Sequence, residues 1–103
     1  MWGVSLDIKY CNKKIEKICT NATSAIKKYG QQMADLIHQR IDEIYASDSI
    51  EFMIKYGIGR CHPLHNNRKN QYAVDLVHPY RLVFTKLDNE VHVVSILEIV
   101  DYH

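Results

Sequence analysis

The clearest indication of the fold lies in residues 72–100, YAVDLVHPYRLVFTKLDNEVHVVSILEIV. Apolar side chains alternate here with polar ones or form short apolar runs, which is typical of β-strands. The pattern predicts strands over 72–77, 80–86 and 91–100, with a tight connection at His78-Pro79 and a turn at Asp88-Asn89. Such short connections make the three strands antiparallel neighbours in one sheet.

The first half of the chain has a different period. Residues 4–10 alternate like a further strand, and Asn12 can cap a short helix after it. Residues 24–46 carry one apolar stripe with the spacing of a helix, which Gly30 softens near its start. Asp48 followed by Glu51 resembles a capping box for a last short helix. The sequence therefore predicts an α+β fold, in which an N-terminal strand and two to three helices pack on a twisted antiparallel sheet.

Length and composition favour one domain over residues 1–103, because 47% of the residues are hydrophobic and only six are Gly or Pro. We find no apolar run as long as a membrane span and no signal-peptide pattern. The three cysteines are odd in number, which favours reduced thiols. We therefore expect a cytoplasmic protein without a membrane partner.

The charge is unevenly distributed along the chain, although the net charge is only +1. Residues 59–87 hold five Lys or Arg against one Asp, and residues 1–28 hold six Lys against two acidic residues. A polyanion can therefore bind one surface of a nearly neutral protein.

Three groups of residues carry candidate chemistry. A histidine near its ordinary pKa of about 6.5 can act as base or acid at neutral pH, and an arginine can bind a phosphate with two hydrogen bonds. Simpler interpretations remain open, namely a polar surface loop, a polar tail, and a salt bridge from Arg81 to Asp75 across the hairpin. The groups are Arg60, His62, His65, Arg68 and Lys69 in the loop, Arg81 on a strand, and the terminal Asp101, Tyr102 and His103.

Cys61, His62 and His65 are acceptable zinc ligands by type. Adjacent residues of a strand point to opposite faces, however, so Cys61 and His62 do not converge on one ion. A second ligand pair such as C-x-x-C is absent from the sequence. We therefore expect no metal and no other cofactor.

Three strings carry a resemblance to a known family: RCHPLHNNRKNQY at 60–72, HPYRLVF at 78–84 and DYH at 101–103. The chain resembles the toxins of bacterial type II toxin-antitoxin modules in the RelE/ParE superfamily, in particular the HigB or plasmid maintenance killer branch. The similarity in motifs covers about residues 59–103. It implies a growth-inhibiting endoribonuclease that cuts mRNA on the ribosome. It also implies a cognate helix-turn-helix antitoxin. The toxin would contact operator DNA only through this antitoxin.

The resemblance also assigns roles to residues. The family's catalytic positions fall on His62, Arg81, Asp101, Tyr102 and His103. Arg68 corresponds to the loop arginine, and Arg60, His65 and Lys69 complete a basic rim for RNA phosphates. The chain departs from the family at Asn66-Asn67-Arg68-Lys69-Asn70, where Gly-Asp-Arg-x-Gly is frequent, and at His65, where relatives often carry Lys.

The leading hypothesis is metal-independent attack of a ribose 2′-OH on the adjacent phosphate. His62 and His103 share the roles of base and acid, and Arg81 and Arg68 stabilise the phosphorane. Tyr102 stacks on a nucleotide base or forms a hydrogen bond, and Asp101 orients an imidazole. Two alternatives stay open. One is a toxin of the same fold that acts on DNA gyrase without nuclease chemistry, as in the ParE branches, and the other is a non-catalytic RNA- or protein-binding module.

Overall fold

The structure is a computed structural model that describes residues 5–65, 68–87 and 92–101. Its centre is a five-stranded sheet in the order β1-β5-β4-β3-β2. The strands are β1 Asp7–Tyr10, β2 His62–Pro63, β3 Gln71–Asp75, β4 Tyr80–Lys86 and β5 Val93–Asp101. The three strands predicted from residues 72–100 are thus present and consecutive in the sheet.

The α+β class is confirmed, but the sheet is mixed. β2, β3, β4 and β5 pair antiparallel, whereas β1 runs parallel to β5. The reason lies in the connection, because β1 leads into the helices and does not turn back as one arm of a hairpin. A bulge in the β4 to β5 pairing falls beside Val83 and Phe84 and shifts the register by one residue.

The helices are α1 Lys13–Thr20, α2 Ala22–Tyr29, α3 Gln31–Ala46 and α4 Ile50–Lys55, followed by a 3-10 turn at Ile58–Arg60. Asn12 caps α1 as predicted, since its side-chain oxygen accepts a hydrogen bond from the Ile15 N–H at 2.9 Å. The single helix predicted over 24–46 is wrong in one respect. Gly30, at φ +88°, separates α2 from α3. The cap of α4 is Ser49 and not Asp48, because the Ser49 hydroxyl accepts from the Phe52 N–H at 3.0 Å.

The helices cover one face of the sheet and bury its apolar residues. Leu82 and Phe84 of β4 are fully buried against the helices together with Ile37 of α3. The Phe84 ring also stacks on Tyr72 of β3, with 5.9 Å between the ring centroids. Within the described ranges, no helix is long and apolar enough to cross a membrane.

The residues that alternate with this core lie on the opposite face of the sheet, which we call the helix-free face. Five of them concern the candidate site: Ala73 and Asp75 of β3, Arg81 and Val83 of β4, and Glu98 of β5. Ala73 and Val83 are buried but do not belong to the core cluster. The polar members are each partly exposed. The sheet thus presents a polar surface with a small apolar floor.

Candidate functional site

The strand register places several predicted residues close together on the helix-free face. His62 lies opposite Ala73, and Ala73 lies opposite Val83, so these residues form one row across the sheet. The next row contains Asp75 and Arg81 as directly paired neighbours. Directly opposed residues share a face of the sheet. His62 and Arg81 are therefore placed on one surface, two strands and two residues apart.

Asp75 is the centre of the charge arrangement on this surface. Its Oδ2 lies 3.0 Å from Nε of Arg60, and its Oδ1 lies 3.4 Å from Nε of Arg81. The salt bridge predicted between Arg81 and Asp75 is therefore confirmed. Asp75 Oδ1 is buried and accepts no hydrogen bond from any described residue, because the Arg81 contact is ionic and not a well-formed hydrogen bond. One carboxylate thus holds two guanidinium groups side by side.

An unusual turn brings Arg60 to Asp75. The backbone φ angles of Gly57, Gly59 and Arg60 are +65°, +60° and +56°. Residues other than glycine rarely adopt this left-handed conformation. A Cβ on Gly59 would lie 3.0 Å from Cδ of Arg40 and 3.2 Å from Cβ of Val74. Both the backbone conformation and the close packing therefore favour glycine at position 59.

Arg40 is a contributor that the sequence analysis did not identify. Its Nε donates to the backbone carbonyl of Asp75 at 2.6 Å, and its NH1 pairs with Glu43 at 2.9 Å. The sequence did contain a signal. Arg40 is three residues after Ile37 and four before Ile44, both fully buried, so its stem lies in the buried stripe of α3. A cation in that position needs a partner.

His62 is oriented by its own loop. Its Nδ1 lies 2.8 Å from the backbone carbonyl of Arg60. A carbonyl oxygen only accepts hydrogen bonds, so Nδ1 carries the hydrogen, and Nε2 of the neutral ring keeps its lone pair. The ring is half-buried. His62 can therefore take up a proton at Nε2 without a change of tautomer.

Cys61 is separated from His62, as the alternation argument predicts. It belongs to the core cluster and is only 5% exposed, and this burial raises the pKa of its thiol to about 12. Among the residues that the structure describes, no three His, Cys, Asp or Glu side chains are grouped so that they could hold a metal ion. Cys61, His62 and His65 therefore do not belong to any such group among the described residues.

Arg68 reaches across the helix-free face. It lies before β3, yet its NH1 is 3.2 Å from Oε2 of Glu98 on β5 and 3.3 Å from Oε1 of Gln71. Both partners of the ion pair are about half exposed, at 41% for Arg68 and 45% for Glu98. Arg68 thus lies on the same surface as His62 and Arg81, and Glu98 is a second carboxylate that the sequence analysis did not include.

The other predicted residues lie farther from this centre. His65 and Lys69 are exposed on the loop at the β2 edge of the sheet. Asp101 ends β5 in register with Tyr80, whose ring packs against Tyr29 of α2, and this places Asp101 on the helix side. The structure therefore does not bring Asp101 next to His62. Tyr102 and His103 lie outside the described residues.

The resulting surface combines three arginines and a histidine with two carboxylates. Arg60 and Arg81 share Asp75, Arg68 is paired with Glu98, and Nδ1 of His62 is held by the Arg60 carbonyl. The arginines of this surface can bind the oxygens of a phosphate in place of the two carboxylates without leaving their positions. Comparison of the chain with family models, with curated proteins and with solved structures gives no match.

Proposed function

We propose that the chain is the toxin of a type II toxin-antitoxin module, an endoribonuclease that inhibits translation by cutting mRNA on the ribosome. The observation that carries this proposal is the joint placement of His62, Arg60, Arg68 and Arg81 on the helix-free face. These side chains come from the 3-10 turn before β2, from β2 itself, from the loop before β3, and from β4. The proposed partners are mRNA, the ribosome and a cognate helix-turn-helix antitoxin.

The proposed reaction needs a base and a group that stabilises negative charge. The ribose 2′-oxygen attacks phosphorus, and Nε2 of His62 accepts the proton that leaves the 2′-OH. The bond from phosphorus to the 5′-oxygen then breaks, and an acid returns a proton to that oxygen. The sequence hypothesis divides the roles of base and acid between His62 and His103 without deciding which is which, and with His62 as the base the acid is His103. Side chains alone supply base, acid and charge stabilisation in this scheme, so no metal ion takes part.

The arginines stabilise the extra negative charge of the phosphorane. Neighbouring strands are about 4.8 Å apart and successive residues about 3.4 Å, so the Cα atoms of His62 and Arg81 are separated by roughly 12 Å. Both side chains are long enough to reach one phosphodiester between them. Arg60 lies beside Arg81 at Asp75, which allows two guanidiniums to bind the same phosphate.

Asp75 keeps these guanidiniums in place before RNA binds. Its carboxylate holds Arg60 and Arg81, and its backbone carbonyl is held by Arg40. A phosphate that enters must replace the carboxylate as the partner of at least one arginine. We therefore assign Asp75 as a positioning residue and not as a base.

The proposal is tested by inducing the protein in a bacterial host and mapping the 5′ ends of mRNA by primer extension. We expect new ends within coding regions. His62→Ala and Arg81→Ala should each reduce cleavage by about 100-fold or more, because general base catalysis and oxyanion stabilisation each contribute factors of this size. His92→Ala is a matched control, since Nδ1 of His92 also bonds a backbone carbonyl, that of Asp48 at 3.2 Å.

Two results would contradict the proposal. The first is growth arrest with uncut transcripts. If induction of the DNA-damage response accompanied that arrest, the gyrase-directed alternative would replace the nuclease. The second is full cleavage by a folded double variant His62→Ala, Arg81→Ala. Salt-sensitive RNA binding with no product at any pH would instead favour a binding module.

A further inference from the structure

One edge of the sheet is only partly covered. β1 pairs with β5 from Val93 to Ile96, and Cys11 adds a backbone hydrogen bond to the Ile96 carbonyl at 3.0 Å. The chain then turns into α1, and the thiol of Cys11 donates to the Leu97 carbonyl at 3.2 Å. β5 continues to Asp101. From Glu98 onward, no strand in the described part of the chain pairs with β5 on this side.

An uncovered strand edge presents backbone N–H and C=O groups at alternate residues, and these groups can pair with another extended chain. The edge from Glu98 to Val100 is therefore competent to bind a further strand. Pairing with β4 holds these residues in extended conformation from the other side, so an incoming segment meets a preformed template.

A cleft of about 220 Å³ lies beside this edge, between β5 and the first two helices. Its apolar surface comes from both sides, with Ile15, Ile18 and Tyr29 on the helices and Leu97 and Ile99 on the strand. Side chains of a strand alternate between two faces, so every second side chain of an added segment would enter the cleft. The cleft and the uncovered edge share the same residues of β5, and together they form one site, the edge cleft.

The helices that line the edge cleft carry an excess of positive charge. Lys14 of α1 and Lys28 of α2 line it. The two helices carry five lysines and only one acidic residue, Glu16. Glu98 also lies at the cleft, but Arg68 neutralises it. The surroundings of the edge cleft therefore attract a negatively charged segment.

We propose that the edge cleft binds an extended acidic segment of a partner protein, which adds to β5 as a further strand. Its backbone pairs with β5 beyond Leu97, its apolar side chains enter the cleft, and its carboxylates lie beside Lys14 and Lys28. A second copy of this chain fits less well, because it would place one lysine-rich pair of helices against another. The inference is independent of the nuclease proposal. Of the residues of the helix-free face it uses only Glu98, whose backbone belongs to the uncovered edge of β5.

The test uses three short peptides of matched length and the full chain. The first alternates valine and glutamate, the second alternates valine and lysine, and the third repeats the first with every second amide N-methylated, which removes the backbone donors but keeps the charge. Fluorescence anisotropy measures binding, and amide hydrogen exchange locates it. We expect the acidic peptide to bind and to protect amides of residues 98–100. The other two should bind at least tenfold more weakly.

The variants separate the cleft from general charge attraction. Lys14→Glu combined with Lys28→Glu should weaken binding of the acidic peptide by about tenfold, the sum of a few exposed charge pairs turned from attractive to repulsive. Lys55→Glu on α4 is the matched control and should leave binding unchanged. The proposal would be overturned if the N-methylated peptide bound as tightly as the acidic peptide, or if the acidic peptide did not bind. It would also be overturned if the peptide protected amides outside residues 98–100, or if the free chain self-associated through β5.

Discussion

Replacing Asp75 with asparagine removes the charge that holds Arg60 and Arg81 while it preserves the shape of the side chain. In the wild-type protein this carboxylate lies 3.0 Å from one guanidinium nitrogen and 3.4 Å from the other. If the two arginines are the phosphate-binding groups, the carboxylate competes with RNA for them. Asp75→Asn should therefore have opposite effects on stability and on RNA affinity.

The loss of stability should be modest. The Arg60 side chain is 79% exposed, so water screens its ion pair and the contribution is about 0 to 1 kcal/mol. The Arg81 side chain is 33% exposed and Asp75 only 27%, so this pair contributes somewhat more. We expect the free energy of unfolding to fall by about 1 to 2 kcal/mol, measured by urea denaturation.

The gain in affinity follows from Coulomb's law. A phosphate bound by Arg60 and Arg81 would lie roughly 6 Å from the Asp75 carboxylate, and at an effective dielectric constant of about 60 the repulsion is about 0.9 kcal/mol. Removal of this repulsion should strengthen binding of a short single-stranded RNA about fivefold. Fluorescence anisotropy in low salt measures this difference, which should decrease as salt is added.

Glu51→Gln is the matched control for this prediction. Glu51 also forms an ion pair, at 3.3 Å with Lys86, but it lies on α4 at the helix side of the sheet. Its removal should leave RNA affinity nearly unchanged. Weaker or unchanged binding by a folded Asp75→Asn protein would refute the assignment of Arg60 and Arg81 as the phosphate-binding pair.

Three further predictions concern the scaffold. Phe84→Ala should lower the free energy of unfolding by about 3 to 5 kcal/mol in urea denaturation, because Phe84 is fully buried and the variant leaves a cavity. Asn12→Ala removes the cap of α1 and should cost about 1 kcal/mol in the same assay, and a cost near zero would contradict the capping contact. Burial raises the pKa of the Cys19 and Cys61 thiols to about 12, so between pH 9 and 12 the unfolded chain loses these protons while the folded chain keeps them. Stability should therefore fall as pH rises through this window, by about 1.4 kcal/mol per pH unit for each thiol, and a Cys19→Ala, Cys61→Ala variant should show a shallower fall.

The local parts of the fold could be predicted from the sequence, because hydrophobic period and capping are local properties. Strands β3, β4 and β5 followed from alternation, and the cap at Asn12 followed from its position before an apolar stripe. The break at Gly30 was not predicted, since a glycine in a periodic segment either weakens a helix or ends it, and only packing decides which. The parallel pairing of β1 depends on where the helices return the chain, which no local pattern encodes.

The candidate site was predictable to a similar degree. The pairing of Arg81 with Asp75 follows from the short hairpin, which fixes the register between two strands. The approach of Arg60 to the same carboxylate depends on three residues with positive φ within positions 57–60, and one of them, Arg60, is not a glycine. Such a conformation is set by the surrounding structure and not by residue preference. Arg40 was detectable in principle, because it interrupts the buried stripe of α3.

The compensation of charge on the helix-free face bears on why a ribosome would be needed. Arg60, Arg68 and Arg81 are opposed there by Asp75 and Glu98, so the face carries a net charge of only about one. For single strands the logarithm of affinity changes with the logarithm of salt concentration with a slope of about −0.7 for each phosphate neutralised. We therefore expect a slope near −0.7 for the wild-type chain and near −1.4 for Asp75→Asn. A wild-type slope near −2, as for three free arginines, would show that the carboxylates do not compensate them. A shallow slope means that charge neutralisation contributes little to the binding of free RNA, and under the proposed function the ribosome would supply the positioning of mRNA that this surface lacks.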